Sequence, residues 1–158
     1  MKKNVLTINH TLSANYPDGF REMSSVELKK FFRTDASRCG VHDKDRHMIM
    51  NVCWTKPGIL GFMTDERSIL NGAETQLSRH LQRYRRVDRL SREIMGYPAI
   101  GIRFEYTVTE TDIIQYSDLY VVKAGKVYYA AQSIGRKKNF AQDQELMEDF
   151  LNSMTTLT

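Results

Sequence analysis

The chain has 158 residues and a mass of 18.4 kDa, which fits one ordinary domain with its own hydrophobic core. Hydrophobic residues make up 41% and charged residues 27%, which excludes intrinsic disorder, and no apolar run reaches the ~20 residues that cross a bilayer. The net charge of +4 permits an anionic partner without requiring one. With two cysteines and no continuous apolar stretch behind Met1-Lys2-Lys3, we expect a cytoplasmic protein with reduced thiols.

The first segment predicts a strand followed by a short helix. Apolar residues alternate with polar ones from Leu6 to Tyr16, as in a half-buried strand, and Pro17-Asp18-Gly19 then favours a turn. Ser24, with Glu27 three residues later, resembles a capping box, which predicts a helix through about Phe32.

The next segment predicts a hairpin and then the longest helix. The hairpin has arms at about 36–42 and 47–54 and a turn at 43–46. A helix of about 21 residues is expected to begin at Thr64. Its apolar stripe consists of Ile69, Leu70, Ala73, Leu77, Leu81 and Tyr84.

The last segment predicts four strands and a closing helix. The strands are expected at about 87–95, 100–108, 112–123 and 126–134. The third strand carries apolar residues on both faces, which is typical of a central strand. Asn139 with Gln142 predicts a capped final helix, whose buried stripe comprises Leu146, Met147, Phe150, Leu151 and Met154.

Phe104 and Arg103 test the register of the second of these strands. Alternation places Phe104 at mid-strand on the core face and Arg103 on the other face. We therefore expect the truncation of Arg103 to cost well under half as much stability as the truncation of Phe104.

The order of the elements predicts the fold class. Strands joined by turns of two to four residues are antiparallel, and helices set apart from them indicate an α+β fold with helices flanking a twisted sheet. No repeat, linker or low-complexity tract interrupts the sequence, so we expect residues 1–158 to form a single domain.

Four stretches of the chain together resemble the PsbP-like fold, which is shared with the Ran-binding Mog proteins and with bacterial DcrB and effector-chaperone-like proteins. They are the first strand ending in Tyr16-Pro17-Asp18-Gly19-Phe20, the long helix leading to Gly96-Tyr97-Pro98-Ala99, the meander 100–134 with Lys123-Ala124-Gly125-Lys126, and Phe150-Leu151-Asn152-Ser153-Met154. The resemblance implies a three-layer α/β/α sandwich that serves as a binding scaffold, generally without catalysis. It carries over no site residue.

Cys39, His42, His47 and Cys53 have a spacing that suggests metal ligands. Cys39 and His42 are three apart on a predicted strand, so their side chains leave opposite faces. A closed zinc site needs four convergent ligands. If 44–45 is the turn, His42 opposes His47, with Cys53 further along the same face. We therefore predict no metal site and no cofactor, and we expect two small core cysteines beside a surface histidine pair.

A cluster of arginines is the one unusual feature of the composition. Its members are Arg79, Arg83, Arg85, Arg86, Arg89 and Arg92. On a helix, Arg79, Arg83 and Arg86 would share one face, which suits an acidic surface on a partner protein. The alternative is a solvated helix face whose cations complement the C-terminal dipole. The pattern does not favour nucleic acid as a partner, because no stacking aromatic residues interleave with the arginines.

No nucleophile elbow, zinc-protease motif or phosphate-binding loop occurs in the sequence. The leading hypothesis is therefore a non-enzymatic protein-binding module, an adaptor or chaperone that does not insert into a membrane. Homo-oligomerisation stays open. The alternative is a small-molecule-binding protein or enzyme that uses a pocket between sheet and helix.

Overall fold

The structure is a computed structural model that describes residues 4–56 and 65–157. In this part of the chain there are three helices and ten strands. The helices are α1 (Ser25–Phe32), α2 (Glu66–His80) and α3 (Phe140–Asn152). The strands are β1 (Asn4–Ile8), β2 (Leu12–Tyr16), β3 (Arg21–Glu22), β4 (Arg38–Asp43), β5 (Met48–Thr55), β6 (Gln82–Ile94), β7 (Tyr97–Thr107), β8 (Ile114–Ala124), β9 (Val127–Arg136) and β10 (Thr155–Thr156).

The strands form two antiparallel sheets. The large sheet has the order β3-β4-β5-β9-β8-β7-β6, and the small one has the order β1-β2-β10. Consecutive strands from β6 to β9 pair as a meander, because their connections are too short for a parallel crossover. This arrangement confirms the predicted α+β class.

Helices cover both faces of the large sheet. On one face α2 packs through Leu70 onto Phe104 and Val121, and α1 packs through Leu28 onto Ile49. On the other face, α3 and the small sheet close the larger core. The predicted three-layer arrangement is therefore confirmed. No helix in the described ranges is long and apolar enough to span a bilayer.

Strand β8 is the central strand that the sequence predicts. It lies between β7 and β9. Tyr120 and Val122 are buried in the core beneath α3, and Leu119 and Val121 in the core beneath α2. Successive side chains on a strand leave opposite faces, so a strand covered on both sides needs apolar residues at consecutive positions.

The first predicted strand is wrong in one respect, because it is a hairpin of two strands. Asn9 and His10 have φ angles of 52° and 59°, and the Thr11 amide donates to the Ile8 carbonyl at 3.1 Å. The alternation hides the turn, since Leu6 and Ile8 on β1 and Leu12 on β2 all reach the same core.

The two predicted capping boxes have different outcomes. At α1, Ser24 accepts from the Glu27 amide and Glu27 accepts from the Ser24 amide, which confirms the prediction. At α3, the Asn139 side chain makes no capping bond, because a 3₁₀ turn over Lys137–Asn139 precedes the helix. The buried stripe of α3 is confirmed, with Met147, Phe150 and Leu151 in the core.

The long helix is shorter than predicted. Asp65 is its N-cap and accepts from the Ser68 amide at 2.8 Å, whereas the predicted start, Thr64, lies outside the described residues. The helix ends at His80, and Leu81 is extended. Residues from Gln82 onward instead pair with β7, so Leu81 and Tyr84 join the α2 core from an extended backbone.

Candidate functional site

The arginine cluster lies mainly on a strand, not on a helix. Arg79 is in the last turn of α2, whereas the other five arginines are on β6. The prediction that Arg79, Arg83 and Arg86 share a helix face is therefore wrong. The helix ends at His80, about one turn before its predicted end, and ten of the thirteen residues of β6 pair with β7 instead.

The arginines of β6 divide between the two faces of the sheet. Directly opposed residues of antiparallel strands point to the same face. Arg86 opposes Phe104 and Arg89 opposes Ile102, so both lie on the α2 face. Arg85 opposes Glu105 on the face covered by α3.

Three of the arginines are committed to ion pairs within the chain. Arg85 donates through Nε to Glu105 Oε1 at 2.7 Å and also contacts it through Nη2. Arg86 Nη1 lies 3.1 Å from Glu74 Oε1. Arg92 Nη1 lies 2.7 Å from Glu148 Oε2. These pairs attach β6 to its neighbouring strand and to both flanking helices.

The remaining arginines are Arg79, Arg83 and Arg89. All three are exposed. None has an acidic side-chain partner among the residues that the structure describes. They are therefore the members of the cluster that are available to a carboxylate from another molecule.

Strand β6 is one edge of the seven-stranded sheet. Its pairing with β7 shifts register between Gln82 and Arg85 and again between Arg86 and Asp88, and Arg83 has a φ of 55°. From Asp88 to Ile94 the pairing is continuous. The second half of β6 is thus a regular edge, and the bulged first half turns its arginines in different directions.

Glu105 is the buried carboxylate behind this edge. Burial alone would raise its pKa, but hydrogen bonds from Arg85 and from Lys137, whose Nζ lies 3.3 Å from Oε2, outweigh burial and lower the pKa. Glu105 therefore stays ionised and anchors two cations.

The cysteines and histidines do not converge. Cys39 opposes Val52 on the α3 face, whereas His42 and Cys53 lie on the α1 face. This confirms the prediction that Cys39 and His42 leave opposite faces of the strand. The predicted His42–His47 pair is wrong, because His42 opposes Ile49 and His47 lies in the turn with a φ of 59°. Burial raises the pKa of the Cys39 thiol to about 12, so this thiol stays protonated at neutral pH.

Purified protein is accordingly expected to contain no stoichiometric zinc. Elemental analysis of protein that has been dialysed without chelator measures this directly. One zinc per chain that is lost in a Cys39→Ser variant would contradict the placement of Cys39 and His42 on opposite faces of the sheet.

Asp143 on α3 is a buried acid that the sequence does not single out. Only 6% of the residue is exposed, and neither carboxylate oxygen has a hydrogen-bond partner among the residues that the structure describes. Arg46 Nη1 lies 3.9 Å from Oδ1, which is too far for a hydrogen bond. Gly135 of β9 faces the carboxylate so closely that a Cβ there would overlap it. The site borders a cavity of about 10 Å³, room for roughly one water molecule.

No protein-family model and no curated protein matches the sequence. Solved structures do match. Cyanobacterial PsbP (CyanoP) from Synechocystis sp. PCC 6803 aligns with a TM-score of 0.65 and 8% identity over 92% of this chain and 86% of its own. LpqN of Mycobacterium tuberculosis, which is involved in cell envelope biogenesis, aligns with a TM-score of 0.63 and 13% identity over 93% of this chain and 83% of its own.

A protein from Bacteroides thetaiotaomicron aligns over the whole of this chain with a TM-score of 0.64 and 10% identity, and this chain spans 50% of its length. The fold is PsbP-like. The structural neighbours thus include a PsbP protein and a cell-envelope protein, and at these identities the likeness shows the fold alone.

The stability of this PsbP-like chain is expected to depend on pH through Asp143. Burial and, to a smaller extent, Asp43 raise its pKa, Arg46 lowers it, and the result is about 6. An unfolded aspartate titrates near ~3.9, so the folded state binds more protons between these values and stability falls as pH rises through them. The full change is about 2–3 kcal/mol.

An Asp143→Asn variant tests this pH dependence. Because an amide does not ionise, the variant should gain about 2–3 kcal/mol relative to wild type between pH 4 and pH 7. Urea unfolding of both proteins at the two pH values gives the difference. Parallel pH profiles would contradict the assignment.

Proposed function

We propose that the chain is a non-catalytic module that binds another protein, and that an acidic, extended segment of this partner docks along β6. The observation that carries the proposal is the combination of a sheet edge with three exposed arginines, Arg79, Arg83 and Arg89, that have no acidic partner in the described residues. Backbone groups on the open side of an edge strand accept an added strand, and the arginine fork recognises carboxylates.

The regular half of β6 is where an added strand fits best. Pairing without bulges from Asp88 to Ile94 gives seven residues of even backbone spacing, with Arg89 near the start. Arg83 lies beyond the bulges, where it can meet side chains at one end of the docked segment. Main-chain bonds would then supply affinity along 88–94, and the arginines would select an acidic sequence.

A non-catalytic role is supported by how the buried acids are used. Glu105 and Asp118 are each held in ion pairs, with Arg85 and Arg103 respectively. Asp143, whose pKa is raised, borders a cavity of about 10 Å³, which is too small for a substrate. A general acid or base must reach the proton that it transfers, and none of these three groups faces a cavity that admits a reactant.

Selection of binders from a library of random ten-residue peptides tests this proposal. Enriched sequences should carry an excess of Asp and Glu. Amide exchange of the protein should slow across 88–94 when an enriched peptide is bound. An Arg83→Glu/Arg89→Glu variant should melt near wild type and lose at least tenfold in affinity, since exposed charges contribute little to stability whereas interface arginines contribute much to binding.

A matched control changes the same charge elsewhere. Arg67 on α2 and Lys126 in the turn between β8 and β9 are exposed and lie outside β6, so an Arg67→Glu/Lys126→Glu variant should bind as wild type does. Affinity for wild type should fall as salt is added. Enriched peptides without an acidic excess, or equal binding by the two double variants, would overturn the proposal.

A further inference from the structure

A groove of about 550 Å³ opens on the α1 face of the sheet, away from β6. Its floor consists of two neighbouring cross-strand rows, Ile49 with Ile134 and Tyr106 with Gln115 and Arg136. Phe31 of α1 forms one wall and is 44% exposed. The volume lies within the range of roughly 300–1,000 Å³ that small-molecule sites occupy.

Polar atoms of this groove lack partners within the described residues. Gln115 Oε1 is buried without a hydrogen bond. His42 Nδ1 is also buried, and its nearest acidic atom, Glu27 Oε2, is 3.6 Å away, beyond hydrogen-bond distance. A buried polar atom without a hydrogen bond destabilises the folded chain, so a molecule that supplies the missing partner would bind favourably here.

The charge of the groove is mostly positive. Lys30, Lys44 and Arg136 line it, and only Glu27 among its lining residues is acidic. Arg136 has no acidic partner in the described part of the chain. It is the direct cross-strand partner of Gln115, so the two side chains leave the same face of the sheet at neighbouring positions.

The apolar surroundings strengthen the hydrogen bonds that these polar groups can form. Tyr106, which opposes Gln115, is half-buried, and this burial raises the pKa of its hydroxyl to about 12. Charge-assisted hydrogen bonds are stronger in such an environment than in water. The floor thus combines an apolar surface with the cationic side chain of Arg136.

From these contacts we infer that the groove binds a small amphiphile with an apolar chain, a carboxylate and a neighbouring O–H or N–H donor. The carboxylate pairs with Arg136, the donor satisfies Gln115 Oε1, and the chain lies over Ile49, Ile134 and Phe31. Arginine can donate two parallel hydrogen bonds to a carboxylate. A fully polar anion would bind weakly, because its other polar groups would lose water over the apolar floor without gaining partners.

Three ten-carbon probes separate the parts of this inference. 3-Hydroxydecanoate carries both polar groups, decanoate lacks the donor, and 1,3-decanediol lacks the charge. Titration calorimetry should give saturable 1:1 binding of 3-hydroxydecanoate, with at least five-fold weaker binding of decanoate and of the diol. The Arg83→Glu/Arg89→Glu variant should bind it unchanged, which separates this site from the partner site on β6.

Single variants assign the two polar contacts. Arg136→Gln should weaken the binding of 3-hydroxydecanoate at least tenfold, whereas Lys126→Gln, in the turn before β9, should not. Gln115→Leu should weaken 3-hydroxydecanoate to the level of decanoate and leave decanoate unchanged. Circular dichroism and melting of each variant confirm that it is folded.

Three outcomes would overturn the inference. Equal binding of all three probes, or binding that Arg136→Gln does not change, would mean nonspecific adsorption to apolar surface. An absence of saturable binding would mean that another protein or a second copy of this chain covers the groove instead. Sedimentation equilibrium of the free protein would detect the second copy.

Discussion

Replacement of Phe104 by alanine is expected to lower the free energy of unfolding by about 3–5 kcal/mol. Phe104 is fully buried at mid-strand on β7, facing α2. Its ring lies 5.3 Å from that of Tyr84 and 6.1 Å from that of Tyr106, measured between centroids. Truncation removes these contacts and leaves a cavity beneath α2 that the flanking β-strands cannot close.

Urea unfolding of the Phe104→Ala variant measures this loss. Ser91→Ala on the neighbouring strand is a suitable control, because Ser91 is exposed and opposes Ile100 on the same face. The control should stay within about 0.5 kcal/mol of wild type. Similar losses in the two variants would mean that Phe104 is not the centre of the α2 core.

Local pattern was sufficient to predict most of the fold. The alternation around Phe104 and the consecutive apolar residues of β8 correctly indicate strands. The apolar residues of these strands pack into the two cores on opposite faces of the sheet. Gly125, with a φ of 64°, marks the turn between β8 and β9. In these segments, local preference and tertiary packing favour the same structure.

The start of β6 could not be predicted, because the apolar residues there fit both the periodicity of a helix and that of a strand. Leu77, Leu81 and Tyr84 suit one helix face, yet Tyr84 and Arg86 also suit one strand face. No proline or glycine separates the two segments. Long-range pairing with β7 decides the outcome, and a local pattern carries no information about it.

The candidate sites depend on contacts between distant parts of the chain. Arg85 and Glu105 are 20 residues apart, so spacing gives no sign of their ion pair. The same holds for the groove, where Phe31 meets residues of β7, β8 and β9. An aspartate in the first turn of a helix, such as Asp143, is usually an exposed residue that stabilises the helix dipole. The sequence does not show that Asp143 is buried, because its carboxylate packs against the distant Gly135.

Truncation of Arg103 to alanine is now expected to cost about 3–5 kcal/mol, comparable with Phe104→Ala instead of well under half of it. Arg103 does lie on the face opposite to Phe104, but this face is covered by α3. Its Nε and Nη2 donate to the two Asp118 oxygens at 2.7 and 3.0 Å, and the guanidinium stacks 4.6 Å from the centre of the Phe140 ring. Asp118 is only 5% exposed, so the variant leaves a buried charge without its partner.

A double variant separates the unpaired charge from the lost packing. If the charge on Asp118 dominates, Arg103→Ala/Asp118→Ala should be more stable than Arg103→Ala alone, because neither charge is left in the interior. A double variant that is no more stable than Arg103→Ala alone would mean that Arg103 contributes through its contact with Phe140 and not through the ion pair. The bidentate geometry favours the first result, because two charge-assisted hydrogen bonds shielded from water are lost together.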